Sequence, residues 1–151
     1  MGAKIIATPN SIGSGEGWHR DRCDKRQTKF ILYLCEVNEN NGPFQYIKNS
    51  SSVLSMLNDF FKYRINPTNS RITDKQINHI SSKEPDRLLT FTAKAGTLLI
   101  ANTRGIHRGK PLSPDCHRYS LTNYYWLDTP VPEHIKELSK QPKNIWPSSK
   151  K

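Results

Sequence analysis

Cysteine is scarce in this chain, and what little there is falls into no useful pattern. Cys23, Cys35 and Cys116 are odd in number and far apart, and there is no Cys-x-x-Cys pair. A disulfide framework and a zinc ribbon both need paired, closely spaced cysteines, so three reduced thiols are expected instead. Long apolar runs are lacking too. The longest fall well short of the ~20 residues that a membrane helix needs, so no membrane span is expected. Residues 1–10 offer one lysine and a short Ile5-Ile6-Ala7 patch, too little for a secretory signal. Ile6 also stands where N-myristoylation needs Ser or Thr. A cytoplasmic protein is the expectation. Internal repeats and runs of five like charges are absent. With no helix-turn-helix, zinc or base-stacking motif, no nucleic-acid partner is expected.

What is present fits one ordinary folded unit. The chain has 151 residues, enough to bury one good core but not two. Hydrophobic residues make up only 34%, yet they cluster into short dense runs, which argues for a β-rich core carrying polar loops rather than for disorder. The formal net charge is +10, which favours anionic partners, although the Lys and Arg are scattered rather than gathered in a patch. Residues 1–130 read as the core. Residues 131–151 read as a polar, basic tail with a short helix over 133–139.

The patterning predicts about eight strands. A first strand covers residues 4–8. The strongest covers 30–37 (FILYLCEV), whose near-continuous apolar character predicts cover on both faces. An Asn-Asn-Gly-Pro turn links it to residues 44–47 as a hairpin. Residues 88–93 and 97–101 flank a Lys94-Ala95-Gly96 turn, and residues 117–126 form a long strand rich in Tyr, Thr and Trp. A short helical insertion around residues 51–80 interrupts the β pattern. Ser51 or Ser52 can cap a helix whose apolar positions Val53, Leu54, Leu57, Phe60 and Phe61 recur at helical spacing. Thr73 with Gln76 resembles a capping box ahead of a second helix carrying Ile77 and Ile80.

The chemistry rests on four residues. His19 and Asp21 are separated by one residue, so on an extended strand their side chains share a face while Arg20 turns away. Alone, His-x-Asp is a weak signal. If residues 110–116 join an antiparallel pair, however, His107 and Arg118 fall roughly opposite each other, about 5 Å apart. A ligand histidine and a guanidinium on one face suit a metal-chelating dicarboxylate, with its far carboxylate on the arginine fork. Two histidines and a carboxylate suit Fe(II) with open positions; zinc would accept the same ligands but would leave Arg118 without a role. Lys29 and Tyr33 share one face of the central strand, and Ser120 and Thr122 share the Arg118 face, so Lys29, Tyr33 and Ser120 are candidates for contact with the dicarboxylate. Trp18 reads as a packing residue beside the metal. His79, His117 and His134 have no partner at ligand spacing.

Taken together, Gly17-Trp18-His19-Arg20-Asp21, Lys29-Phe30-Ile31-Leu32-Tyr33-Leu34 with Glu39-Asn40-Asn41-Gly42-Pro43, Gly96-Thr97-Leu98-Leu99-Ile100, and His107 with Arg118 eleven residues on resemble the phytanoyl-CoA dioxygenase family. The similarity runs from about Gly13 to Tyr125. It departs at Lys48-Asn49-Ser50-Ser51, where family members often carry Pro-Gly-Ser-His, and at Gly109, where some carry Ser. The chain also starts almost at the catalytic core, without the family's usual N-terminal segment.

The resemblance implies an all-β fold, the double-stranded β-helix or jelly roll. It implies His19, Asp21 and His107 as iron ligands, Arg118 as the 2-oxoglutarate anchor, and Fe(II), 2-oxoglutarate and O2 as cofactors and cosubstrates. The activity expected is that of a non-haem dioxygenase hydroxylating a small organic substrate, with release of succinate and CO2. A carboxylate at Asp21 favours hydroxylation, because related halogenases leave that position open for chloride. Basic residues near the ligands (Arg20, Arg22, Lys25, Arg26, Arg104, Arg108, Lys110) suggest a cationic rim and an anionic or carrier-bound substrate. The alternative is a non-catalytic, cupin-like jelly-roll domain that binds an anionic ligand.

Overall fold

A computed structural model of the chain describes residues 2–6, 16–21, 27–126 and Glu133. The elements follow in the order β1 (Gly2–Ile6), β2 (Gln27–Tyr33), β3 (Phe44–Ile47), α1 (Val53–Tyr63), α2 (Asp74–Lys83), a 3-10 turn at Pro85–Arg87, β4 (Leu88–Phe91), β5 (Leu98–Asn102), β6 (His107–Gly109) and β7 (His117–Trp126). The strands form two antiparallel sheets, ordered β1-β7-β2-β5 and β4-β3-β6. The described residues are mostly β, and the two helices α1 and α2 lie in one insertion. The expected helix over 133–139 and Cys23 lie outside the described residues, Glu133 excepted. Cys35 and Cys116 are free thiols. No described helix is long and apolar enough to cross a membrane.

Alternation along the strands builds two cores. In β2 the inward residues Ile31 and Tyr33 pack, with Leu99 and Ala101 of β5, against Phe44, Tyr46 and Phe91 of the other sheet. On the far face of the three-stranded sheet, Ile47 and Ile106 pack with Trp18, from the segment before β2, and with Tyr63, Ile65, Ile72, Ile77 and Ile80 of the helical insertion and its flanks. The three-stranded sheet is therefore covered on both faces. The outer face of the four-stranded sheet is not: Leu34, Leu98, Ile100 and Leu121 are exposed. The continuous apolar run in β2 thus lacks, among the described residues, the two-sided cover that it implied.

The helices start where their caps predict. Ser52 accepts a hydrogen bond from Ser55 N, and Thr73 and Gln76 complete a reciprocal capping box. The apolar stripe of α1 does not turn inward, however. Val53, Leu54, Leu57 and Phe61 are exposed, and the buried side carries Met56, Asp59 and Tyr63. Asp59 sets this orientation. Its carboxylate, fully buried, accepts two hydrogen bonds from Arg87, at 2.8 and 3.1 Å. Arg87 also donates to the carbonyls of Lys48 and Asn49. An ion pair inside the core outweighs the apolar stripe, because either charge left alone there would cost several kcal/mol.

The expected hairpin of β2 with β3 is absent, and so is the antiparallel pairing across residues 110–116 that would have set His107 opposite Arg118, both for one reason. Strands β2 and β3 lie in different sheets, as do β4 and β5, and as do β6 and β7. β2 has its two edges filled by β5 and β7, and β3 has its edges filled by β4 and β6. Consequently His107 and Arg118 are not cross-strand neighbours: His107 pairs with Tyr46, and Arg118 pairs with Ile5. The turn signals mark where the chain reverses. They do not say that it lands in the same sheet.

Candidate metal centre

The segment 18–20 is held on both sides by backbone bonds. His19 and His107 exchange N–H···O bonds of 2.9 Å in each direction, while Arg20 N donates to Ser70 O and Asp21 N to Thr103 O. His19 is thereby laid beside β6 as an added strand, and the two histidine rings stand 4.2 Å apart between centroids. Spacing by two residues brings Asp21 to the same face. The three predicted ligands do converge: one donor atom from each of His19, Asp21 and His107 lies within 4.8 Å of the other two.

The hydrogen bonds fix what those atoms are. His19 Nδ1 is 2.9 Å from Gly17 O, and His107 Nδ1 is 2.9 Å from Gly105 O. A carbonyl oxygen only accepts, so each Nδ1 carries a proton, and in the neutral ring Nε2 keeps a bare lone pair. Those lone pairs face a carboxylate, with His19 Nε2 3.5 Å from Asp21 Oδ1 and His107 Nε2 3.9 Å from Asp21 Oδ2. His107 Nε2 and Asp21 Oδ2 are buried without a hydrogen-bond partner. Lone pairs and a carboxylate converging in a low-dielectric interior repel one another unless a cation stands among them. The donor set therefore fits a metal ion: two imidazoles in the ligating tautomer and one carboxylate.

The protonation states agree with that fit. Burial, reinforced by the nearby Lys29 and His19, pushes His107 down to about 3, so its ring is neutral at pH 7. Burial on its own would raise Asp21, but its surroundings, the Lys29 ammonium among them, hold it well below the usual carboxylate range. A neutral His107 and an ionised Asp21 need release no proton to take a metal.

Other predicted residues divide. Lys29 joins the group, its Nζ 3.7 Å from Asp21 Oδ2 and 5.0 Å from the centre of the Tyr124 ring. Tyr33 is a core residue whose hydroxyl accepts from Phe44 N and donates to Phe91 O, tying the two sheets together. Arg118 and Ser120 are buried and share the inward face of β7, with Ser120 in register with Tyr33. Arg118 sits near Tyr33 and Cys35 rather than opposite His107, and burial lowers its pKa. Trp18 packs in the core, with Arg108 stacked 4.5 Å from its ring centre on the side away from the ligands. The cationic rim is only partly realised among the described residues. Arg20 is buried, Arg108 is paired with Asp74, and Lys110 with Glu39.

Sequence reasoning missed the two glycines. Each ligand histidine hydrogen-bonds the carbonyl two residues before it, and both carbonyls belong to glycine. Gly17 adopts φ 85°, and a Cβ at Gly105 would collide with the Tyr46 hydroxyl. The repeated Gly-x-His was the available signal.

No protein-family model matches the chain, and no curated protein does. Among solved structures, the crystal structure of EvdMO1 superposes with a TM-score of 0.53 at 14% identity, over 85% of this chain and 26% of that one. The likeness is one of fold, and the chain spans about a quarter of that protein's length.

Proposed function

We propose that this chain is an Fe(II)- and 2-oxoglutarate-dependent oxygenase built on a double-stranded β-helix, similar to the phytanoyl-CoA dioxygenase family. The observation that carries the reading is the convergence of His19, Asp21 and His107, with His107 Nε2 and Asp21 Oδ2 buried and without a hydrogen-bond partner. The strand order supports the fold part. Sheets β1-β7-β2-β5 and β4-β3-β6, the latter extended by the His19 bridge, put β2 and β3, β4 and β5, β5 and β6, and β6 and β7 in opposite sheets, as interleaved Greek keys do, while β3 and β4 pair within one sheet. His19, Asp21 and His107 would hold the iron, and Arg118 or Lys29 would take the far carboxylate of 2-oxoglutarate, with Ser120 beside Arg118. The bound iron, with 2-oxoglutarate and O2, supplies oxidation of a substrate C–H bond with release of succinate and CO2. The protein's share is to orient the histidines through Gly17 and Gly105, keep His107 neutral and Asp21 ionised, and bury His107 away from water.

The test is succinate formation by protein loaded anaerobically with Fe(II), then given 2-oxoglutarate and O2. Arg118→Lys keeps the charge but loses the planar fork, so KM for 2-oxoglutarate should rise roughly tenfold, the equivalent of one charged hydrogen bond. Unchanged KM in Arg118→Lys with a raised one in Lys29→Met moves the anchor to Lys29. Iron binding without any succinate favours the anion-binding domain instead.

A further inference from the structure

The seam between the two sheets opens beside the ligand group. β4 and β5 are the edge strands of their sheets at this seam. Between them lies a cleft of about 490 Å³ lined by Phe44, Tyr46, Leu89, Phe91 and residues 98–102. That is a volume in the range of small-molecule sites. The cleft borders the ligand group from both sheets: Tyr46 is in register with His107, the Phe44 ring is 5.6 Å from the His107 ring, and Ala101 is in register with Lys29.

Its chemistry is one-sided. No Asp, Glu, Lys, Arg or His lines it. Its two polar side chains are Tyr46 and Asn102, and the Tyr46 hydroxyl is already committed to Asn102 O at 3.0 Å. A charged group inside would lose its water and find no counter-charge, whereas hydrocarbon or aromatic surface would be welcomed.

We propose that this cleft is the substrate site, and that it takes an uncharged, apolar moiety of a small molecule presented edge-on through the β4–β5 seam, any charge remaining outside. The assignment as substrate rests on the oxygenase reading; the binding of apolar compounds there does not.

The experiment titrates the metal-free full chain with N-phenyl-1-naphthylamine, a neutral fluorescent probe, and with its sulfonated counterpart, 1-anilinonaphthalene-8-sulfonate. Ala101→Leu fills the cleft from its wall, and Ile100→Ser removes apolar surface at its mouth without touching the buried interior. Leu121→Ser, on the outer face of the four-stranded sheet, is the control. The neutral probe should bind better than the charged one, weaken roughly tenfold in Ala101→Leu, the scale of an overpacked site, weaken less in Ile100→Ser, and be unchanged in Leu121→Ser. Co(II) binding, followed by its absorption, should survive in both cleft variants, and probe binding should survive His107→Ala. Equal affinity for both probes, or loss in Leu121→Ser but not in the cleft variants, overturns the proposal. So does a dimer in solution whose formation excludes the probe, since a second copy then fills the seam. If the probe behaves as expected but Fe(II) and 2-oxoglutarate yield no succinate, the oxygenase reading fails while the apolar site stands.

Discussion

Two clusters of buried charge sit in this small fold, and they are finished differently. At Asp59 and Arg87 both carboxylate oxygens are taken by the guanidinium, and Arg87 also donates to the carbonyls of Lys48 and Asn49 and lies 3.6 Å from Glu84 Oε2. At His19, Asp21 and His107 the backbone carbonyls take one nitrogen of each ring, while His107 Nε2 and Asp21 Oδ2 are left without a hydrogen bond. The first cluster is closed and serves the fold. It clamps α1 to the chain entering it and to the start of β4. The second is held just as firmly at its outer atoms, yet open at its inner ones. A buried polar group that is saturated is evidence of architecture, and one that is oriented but unsatisfied is evidence of a ligand.

That contrast can be broken by substitution, and the largest effect belongs to the closed cluster. Arg87→Ala strands a buried carboxylate and should cost about 3–5 kcal/mol in urea unfolding. Arg87→Ala combined with Asp59→Ala should cost less than the sum of the singles, because the stranded charge is gone. At the open cluster, His107→Ala empties a buried site and should cost the metal-free protein about 2–3 kcal/mol, but its distinguishing effect is to weaken Co(II) or Fe(II) binding more than a hundredfold, beyond what loss of an outer hydrogen bond achieves. Adding metal at a hundred times its Kd should stabilise the parent by about 2.7 kcal/mol, and Arg87→Ala equally, but not His107→Ala. Metal stabilisation of His107→Ala would place the ion elsewhere. The smallest effect tests Lys29, the cation nearest Asp21. Lys29→Met removes a charge that competes with the metal, so metal affinity should rise a few-fold, the scale of a partly exposed ion pair. A fall would make Lys29 part of the binding machinery.

Local features were legible and sheet membership was not. The i, i+2 spacing of His19 and Asp21, the Ser52 cap and the Thr73–Gln76 box depend on a few consecutive residues, and the structure has them as read. β3 at Phe44–Ile47 matched to the residue, and β7 covers the expected span. The misses share a cause. Hairpin geometry was inferred from turn residues, yet residues 34–43 and 110–116 are long enough to cross the roughly 10 Å between packed sheets. The orientation of α1 failed for another reason: apolar spacing pointed outward because one ion pair, between residues 28 apart in sequence, decided which side is buried. Arg118 was placed beside the metal through a pairing that does not form, although it does face the interior.

The reciprocal bonds between His19 and His107 also have a consequence in time. They join the start of the described core to its last strand but one, so this contact closes a very long loop and can form only after the intervening sheets are in place. A metal ion bound there would grip a junction that forms late by this reasoning. Its effect would then fall on the rate at which the finished molecule comes apart, and scarcely on the rate at which the chain folds. The two backbone hydrogen bonds that bring the histidines together would make a bound metal a latch on the native state.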